Sequence, residues 1–83
     1  MNIRVRYFAS IREALGQGGE AVESSAATLA ALRDELIGRG GAYAVALARG
    51  KSVRMALDQA MVDESAALRD GCEVAFFPPV TGG

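Results

Sequence analysis

The chain has 83 residues, half of them apolar, with nine basic and ten acidic side chains. That length suits one domain with a modest core, and the near-balanced charge gives no concentrated basic surface for nucleic acid. With one cysteine, no histidine and no tryptophan, it can build neither an intrachain disulfide, a histidine-based triad nor a zinc cluster from its own side chains.

Ile3, Val5 and Tyr7 alternate with Arg4, Arg6 and Phe8, the period of a half-buried strand. Ile11 to Leu15 reads as a short helical turn broken by Gly16-Gln17-Gly18-Gly19, and Glu20 to Glu23 as a second strand of weak propensity. Thr28 is placed to cap a helix whose apolar stripe is Leu29, Leu32, Leu36 and Ile37, with Gly38, Gly40 and Gly41 ending it. Tyr43 to Ala48 predicts a short second helix closed by Gly50.

From Ser52 the alternation returns, with Val53, Met55 and Leu57 on one face and Arg54, Ala56 and Asp58 on the other. Asp58-Gln59 reads as a turn and Ala60 to Val62 as a short strand. Ala66 to Arg69 predicts a turn of helix leading to a tight Asp70-Gly71 turn. Cys72 to Phe77 makes a last strand, stopped by Pro78-Pro79 because proline cannot donate to a ladder. The expected fold class is α+β, a mixed sheet curled over one main helix. Residues 1–78 form the domain and residues 79–83 a flexible C-terminal tail ending in Gly-Gly.

The tail carries the clearest functional signal. Two prolines hold the exit stiff, and the five residues beyond Pro78 reach roughly 16–18 Å when extended. Gly82 and Gly83 lack Cβ atoms and fit a slot too narrow for other residues. The carboxylate of Gly83 is ionised at neutral pH. Such a probe suits insertion into another protein's active site, although a Gly-Gly end is also what a frayed terminus looks like.

Strand parity adds a surface. If Val5 and Val74 face the core, Phe8 and Phe77 face outward with Ala75, joined by Met61, as an apolar patch of the kind that marks a binding site. The alternative is that one aromatic covers core at a sheet edge. Arg4, Arg6 and Arg54 share the solvent face as ordinary surface charge. Cys72 falls on the side of Val74 and Phe76, so it reads as a small core residue and not as a reactive thiol. No apolar run approaches the roughly 18 residues of a membrane span and no signal-peptide pattern opens the chain, so a cytoplasmic protein without membrane contact is expected.

The run from Asp70 to Gly83, with Phe76-Phe77-Pro78-Pro79-Val80-Thr81-Gly82-Gly83 at its end, closely resembles the C-terminal signature of the molybdopterin synthase small-subunit family. The stretches Ile3 to Glu13 and Thr28 to Arg33 resemble that family's first strand and main helix. Asp58 and Cys72 depart from it, where relatives commonly carry asparagine and an acidic residue.

The resemblance implies a ubiquitin-like β-grasp fold and a sulfur cycle with no cofactor bound by this chain. An E1-like adenylating enzyme would consume ATP to convert the Gly83 carboxylate into an acyl-adenylate, with pyrophosphate leaving. Adenylation is needed because a carboxylate is a poor electrophile. A persulfide donor would then displace AMP to give a thiocarboxylate. That sulfur would attack a cyclic pyranopterin monophosphate held by the large synthase subunit, in a complex of two of each chain. Two transfers would build the dithiolene.

Catalytic chemistry thus falls to Gly83 and Gly82, and partner contact to Phe8, Met61, Phe77, Pro78, Pro79, Val80 and Thr81. Arg12 is added by resemblance alone. The catalytic acid, base and anion-binding groups would come from the partner. Competing readings are a carrier for thiamine or cysteine synthesis, a protein modifier joined through Gly83, and a binding domain with an inert tail.

Overall fold

The computed structural model, which describes residues 1–79, opens with the expected alternation. In β1 (Asn2–Tyr7), Ile3, Val5 and Tyr7 turn into the core and Arg4 and Arg6 to solvent. The helix α1 (Ala9–Leu15) starts earlier than Ile11. Its cap is Phe8, whose carbonyl accepts from the N–H groups of Ile11 (3.1 Å) and Arg12 (3.3 Å). Gly16 closes it at φ 74, a left-handed position that only glycine adopts without strain.

The strand β2 (Gly19–Glu23) forms despite its weak propensity. Antiparallel pairing with β1 puts buried Val22 opposite Ile3, so tertiary pairing decides here and not intrinsic preference. In α2 (Leu29–Ile37), the Thr28 hydroxyl accepts from the N–H of Ala31 at 3.3 Å. Leu29, Leu32 and Leu36 are wholly buried and Ile37 half-buried. Each leucine contributes about 1.5–3 kcal/mol of transfer free energy.

Two expectations for the next segment are corrected. Gly38 does end α2, but Gly40, at φ 77, caps the start of α3 (Gly41–Ala46). The glycines after Gly38 thus reverse the chain into a new helix. That helix begins before Tyr43 and stops before Ala48, because Leu47 leaves helical geometry to become wholly buried.

The remaining strands are β3 (Arg54–Leu57), β4 (Ala60–Val62) and β5 (Glu73–Phe77). Asp58 and Gln59, at φ 49 and 71, make the tight mirror-image turn that suits a hairpin's twist. No helix forms over residues 66–69. Ala67 instead bridges Thr28, and the carbonyls of Ala66 and Glu64 accept from Leu29 (3.0 Å) and Ala30 (2.9 Å). The first N–H groups of any helix lack internal partners. An extended segment can supply α2 with acceptors that a helical turn would use itself.

The sheet order is β2-β1-β5-β3-β4, with β1 and β5 parallel and the other neighbours antiparallel. The leucines of α2 fill its concave face against Ile3, Val5, Val74 and Phe76. This is the expected α+β class and the ubiquitin-like β-grasp.

Candidate functional site

The outer face of the sheet follows from register. Arg6 pairs with Ala75, Ala75 with Ala56 and Ala56 with Met61, one outward row across four strands. Beside it Arg54 pairs with Phe77. The rings of Phe8 and Phe77 stack at 4.7 Å and 9°, and the Arg6 guanidinium lies 5.3 Å from the Phe8 centroid. Both phenylalanines are half-buried because they cover each other, whereas Met61 is 55% exposed.

Ala56 and Ala75 are buried although their parity points outward. The result is a shallow apolar platform whose accessible surface is the two half-buried aromatics and Met61, seated over two buried alanines and bordered by Arg6 and Arg54. A flat apolar centre with a cationic rim can bind a surface of apolar centre and acidic rim.

The platform runs into the root of the tail. Phe77 is the last laddered residue, Pro78 is half-buried and Pro79 exposed. On the helix side both prolines wall a groove of about 150 Å³ with Ile11, Val45, Lys51 and Val53. The structure therefore brings Phe8, Phe77, Pro78 and Pro79 together around one exit point, and places Met61 on the same outer face two strands away. Val80, Thr81, Gly82 and Gly83 lie outside the described residues. Arg12 is set apart: its guanidinium lies against Gly18 in a cleft shared with Glu13 and Gln17. Cys72 is 4% exposed and packs in the core with Val74 and Phe76, as strand parity predicts.

Two polar clusters escaped the sequence reading. In the first, Glu20 accepts from the Tyr7 hydroxyl (2.9 Å), the Tyr43 hydroxyl (2.8 Å), Gln17 Nε2 (3.1 Å) and Arg39 Nη1 (2.9 and 3.0 Å). Burial opposes the Glu20 charge, but the hydrogen bonds from Arg39, Tyr43 and Tyr7 outweigh it and hold the carboxyl below its ordinary value. Burial, then the bond to Glu20, pushes the Tyr7 phenol upward.

In the second cluster the buried Arg33 bonds Glu64 and three loop carbonyls, and Glu64 also pairs with Arg49. Partial burial works against the Glu64 charge, and the two arginines prevail and hold its carboxyl low. Apart from Gln17, three positions before Glu20, the partners in both clusters stand far apart in sequence, so no local pattern signals the clusters.

A small β-grasp domain with an apolar platform at the root of a Gly-Gly segment defines the class of ubiquitin-like carrier and modifier proteins. The chain belongs to the ThiS family, whose model matches residues 5–83. It is 42% identical over 81 residues to the molybdopterin synthase sulfur carrier subunit of Escherichia coli (strain K12), spanning 98% of this chain and 99% of that protein. The protein of the same name from Haemophilus influenzae is 40% identical over 81 residues, with the same coverage.

Among solved structures, SAMP1 from Haloferax volcanii superposes over all of both chains with a TM-score of 0.77 and 25% identity. A chain of the complex of subunits 1 and 2 of molybdopterin-converting factor from Helicobacter pylori 26695 does so at 0.69 and 27%, again over all of both chains.

Proposed function

We propose that this chain is the sulfur carrier subunit of molybdopterin synthase, with Gly83 as the residue that bears the transferable sulfur. The observation that carries the reading is identity of 40% and 42% to two carriers of that name across 98% of the chain. The geometry adds a platform contiguous with the root of the segment that ends in Gly82-Gly83. The Helicobacter pylori complex of subunits 1 and 2 supports a large-subunit partner for this chain.

In this reading an E1-like enzyme adenylates the Gly83 carboxylate with ATP, and pyrophosphate leaves. A persulfide sulfur attacks the acyl carbon and AMP departs. A thiol then attacks the donor-side sulfur of the resulting acyl disulfide, forming a disulfide with the donor and releasing the terminal sulfur on Gly83 as a thiocarboxylate. The loaded carrier docks through Phe8, Phe77, Met61 and the arginine rim, two carriers to two large subunits. Its tail delivers the sulfur as nucleophile to a cyclic pyranopterin monophosphate, and the partner supplies acid, base and anion-binding groups. The cycle is cytoplasmic, and no described helix is long and apolar enough to cross a membrane.

The test is intact mass after incubation with ATP, an E1-like enzyme and a persulfide donor, followed by addition of the large subunit and the pyranopterin. One oxygen exchanged for sulfur, lost when Gly83 is deleted, and molybdopterin formed in the second step are the expected results. Loading without molybdopterin would point to thiamine or cysteine synthesis. An adduct to a protein lysine would point to a modifier, and no mass change with an active enzyme to an inert tail.

A further inference from the structure

Among the described residues two large apolar side chains stand exposed, Met61 at 55% and Val45 at 63%. Met61 belongs to the platform. Val45 lies on the helix side of the sheet, on α3, where it walls the groove of Pro78 and Pro79 with Ile11, Val53 and Lys51. Neither side chain packs in the core, and apolar surface left in water is favourably covered by a partner.

The groove and the platform meet at one end of the sheet. Successive residues of a strand point to opposite faces. On β5 the platform residue Phe77 is followed by Pro78 of the groove, and on β3 the rim residue Arg54 is preceded by Val53 of the groove. On the third pass Phe8 caps the helix that brings Ile11 to the groove. All three passes turn from one surface to the other within three positions. A partner that covers the platform as far as Phe77 need only round the two prolines to enter the groove.

Charge marks the same end. Arg33, Arg39, Arg49 and Arg69 each pair with a carboxylate. Arg6 and Arg54 beside the platform and Lys51 beside the groove pair with none among the described residues. Asp63 and Glu64 share a hollow with Arg54, but Asp63 accepts from Ser65 and Glu64 from Arg33 and Arg49. Of the other unpaired arginines, Arg4 has Glu73 as its ladder neighbour and Arg12 shares its cleft with Glu13. Cations thus stand unpaired on both faces of the exit, where carboxylates of another protein can meet them.

Resting on the carrier reading above, we infer that the large subunit clasps the exit from both faces of the sheet. Besides the platform it fills the groove, with an apolar side chain against Val45, Ile11 and the prolines and a carboxylate at Lys51.

The experiment measures binding of the purified large subunit to wild type, Val45→Gln and Lys51→Glu, by calorimetry and by association rate at low and high ionic strength. Val45→Gln should raise Kd about 5-fold or more with the association rate within about 2-fold. Lys51→Glu should slow association about 5- to 10-fold at low ionic strength, the gap closing as salt is added. Both side chains are exposed, so Tm should stay within a degree or two of wild type.

A wild-type Kd in Val45→Gln overturns the inference whatever Lys51→Glu does, because long-range attraction alone also responds to charge reversal. Wild-type association of Lys51→Glu at low salt overturns it too, since no carboxylate then faces the groove. Normal binding of the large subunit with a raised KM for the carrier in ATP–pyrophosphate exchange gives the groove to the adenylating enzyme and equally overturns it. If Val45→Gln does not fold, Val45→Thr, which keeps the shape and adds a hydroxyl, is judged by the same Kd. A wild-type carrier that does not bind the large subunit refutes the carrier reading itself, and the clasp with it, whereas wild-type binding with unaffected variants refutes the clasp alone.

Discussion

Glu20 shows how one carboxylate can tie distant elements together. It joins β1 through Tyr7, the α1–β2 turn through Gln17, α3 through Tyr43 and the α2–α3 connection through Arg39. Because its folded value lies below the ordinary one, its stabilisation is fully present above the usual glutamate range near ~4.3 and fades as pH falls through the depressed value. Glu20→Gln should therefore lower stability at neutral pH by about 1–3 kcal/mol. It should also flatten the acid limb of a Tm-against-pH curve. An acid limb as steep as wild type would show that other carboxylates carry it.

Cys72 makes the opposite case, a chemically tempting residue with a structural position. Buried among Val74 and Phe76, it has no path to a persulfide donor. Cys72→Ser should lose some stability and keep wild-type sulfur loading per folded molecule, read by intact mass. Its place in the core was legible from strand parity. Arg33 and Glu20 were not legible as hubs, since Arg33's partners lie 14 to 31 positions away and those of Glu20, Gln17 apart, 13 to 23, and only the fold brings them near.

At the scale of elements, alternation located β1 and β3, flanking turns and prolines the other three strands, and the Thr28 cap α2, because burial period, turn residues and capping are local signals. The misreadings share one cause. Residues 66–69 carry helix-forming alanines, yet α2 takes the carbonyls of Glu64 and Ala66, and Gly40 marks a helix start because the chain must reverse there. Local preference yielded in both to an acceptor or a reversal set elsewhere.

The β3–β4 turn kept a residue that local preference argues against. Gln59 sits at φ 71, where a side chain costs about 1–2 kcal/mol. Gln59→Gly should raise stability by about 1 kcal/mol in denaturant unfolding. Gly19→Ala should do the reverse by about 1–3 kcal/mol, because its Cβ would lie 2.8 Å from the Val5 carbonyl oxygen and push β2 off β1. Equal stability for either variant would mean that the backbone relaxes locally.

For the whole molecule, the proposed function assigns the platform and the tail separable tasks, docking and delivery. The sequence made both visible, the platform through parity and the tail through its prolines and glycines. The joining of the two at one exit point required the parallel pairing of β1 with β5, which stacks Phe8 on Phe77.

Met61 tests the docking half because it is exposed, outward and on the edge strand β4, so a change there leaves the core intact. Glutamate at that position would put an unpaired charge into an apolar contact. Met61→Glu should weaken binding to the large subunit about 10- to 100-fold by calorimetry, with Tm within a degree or two of wild type. Sulfur transfer at saturating large subunit should stay near wild type, since the tail is untouched and docking affects only occupancy. A variant that binds normally would move the interface off the sheet. A variant that binds weakly and also transfers slowly at saturation would mean that the platform orients the tail as well as holding the partner.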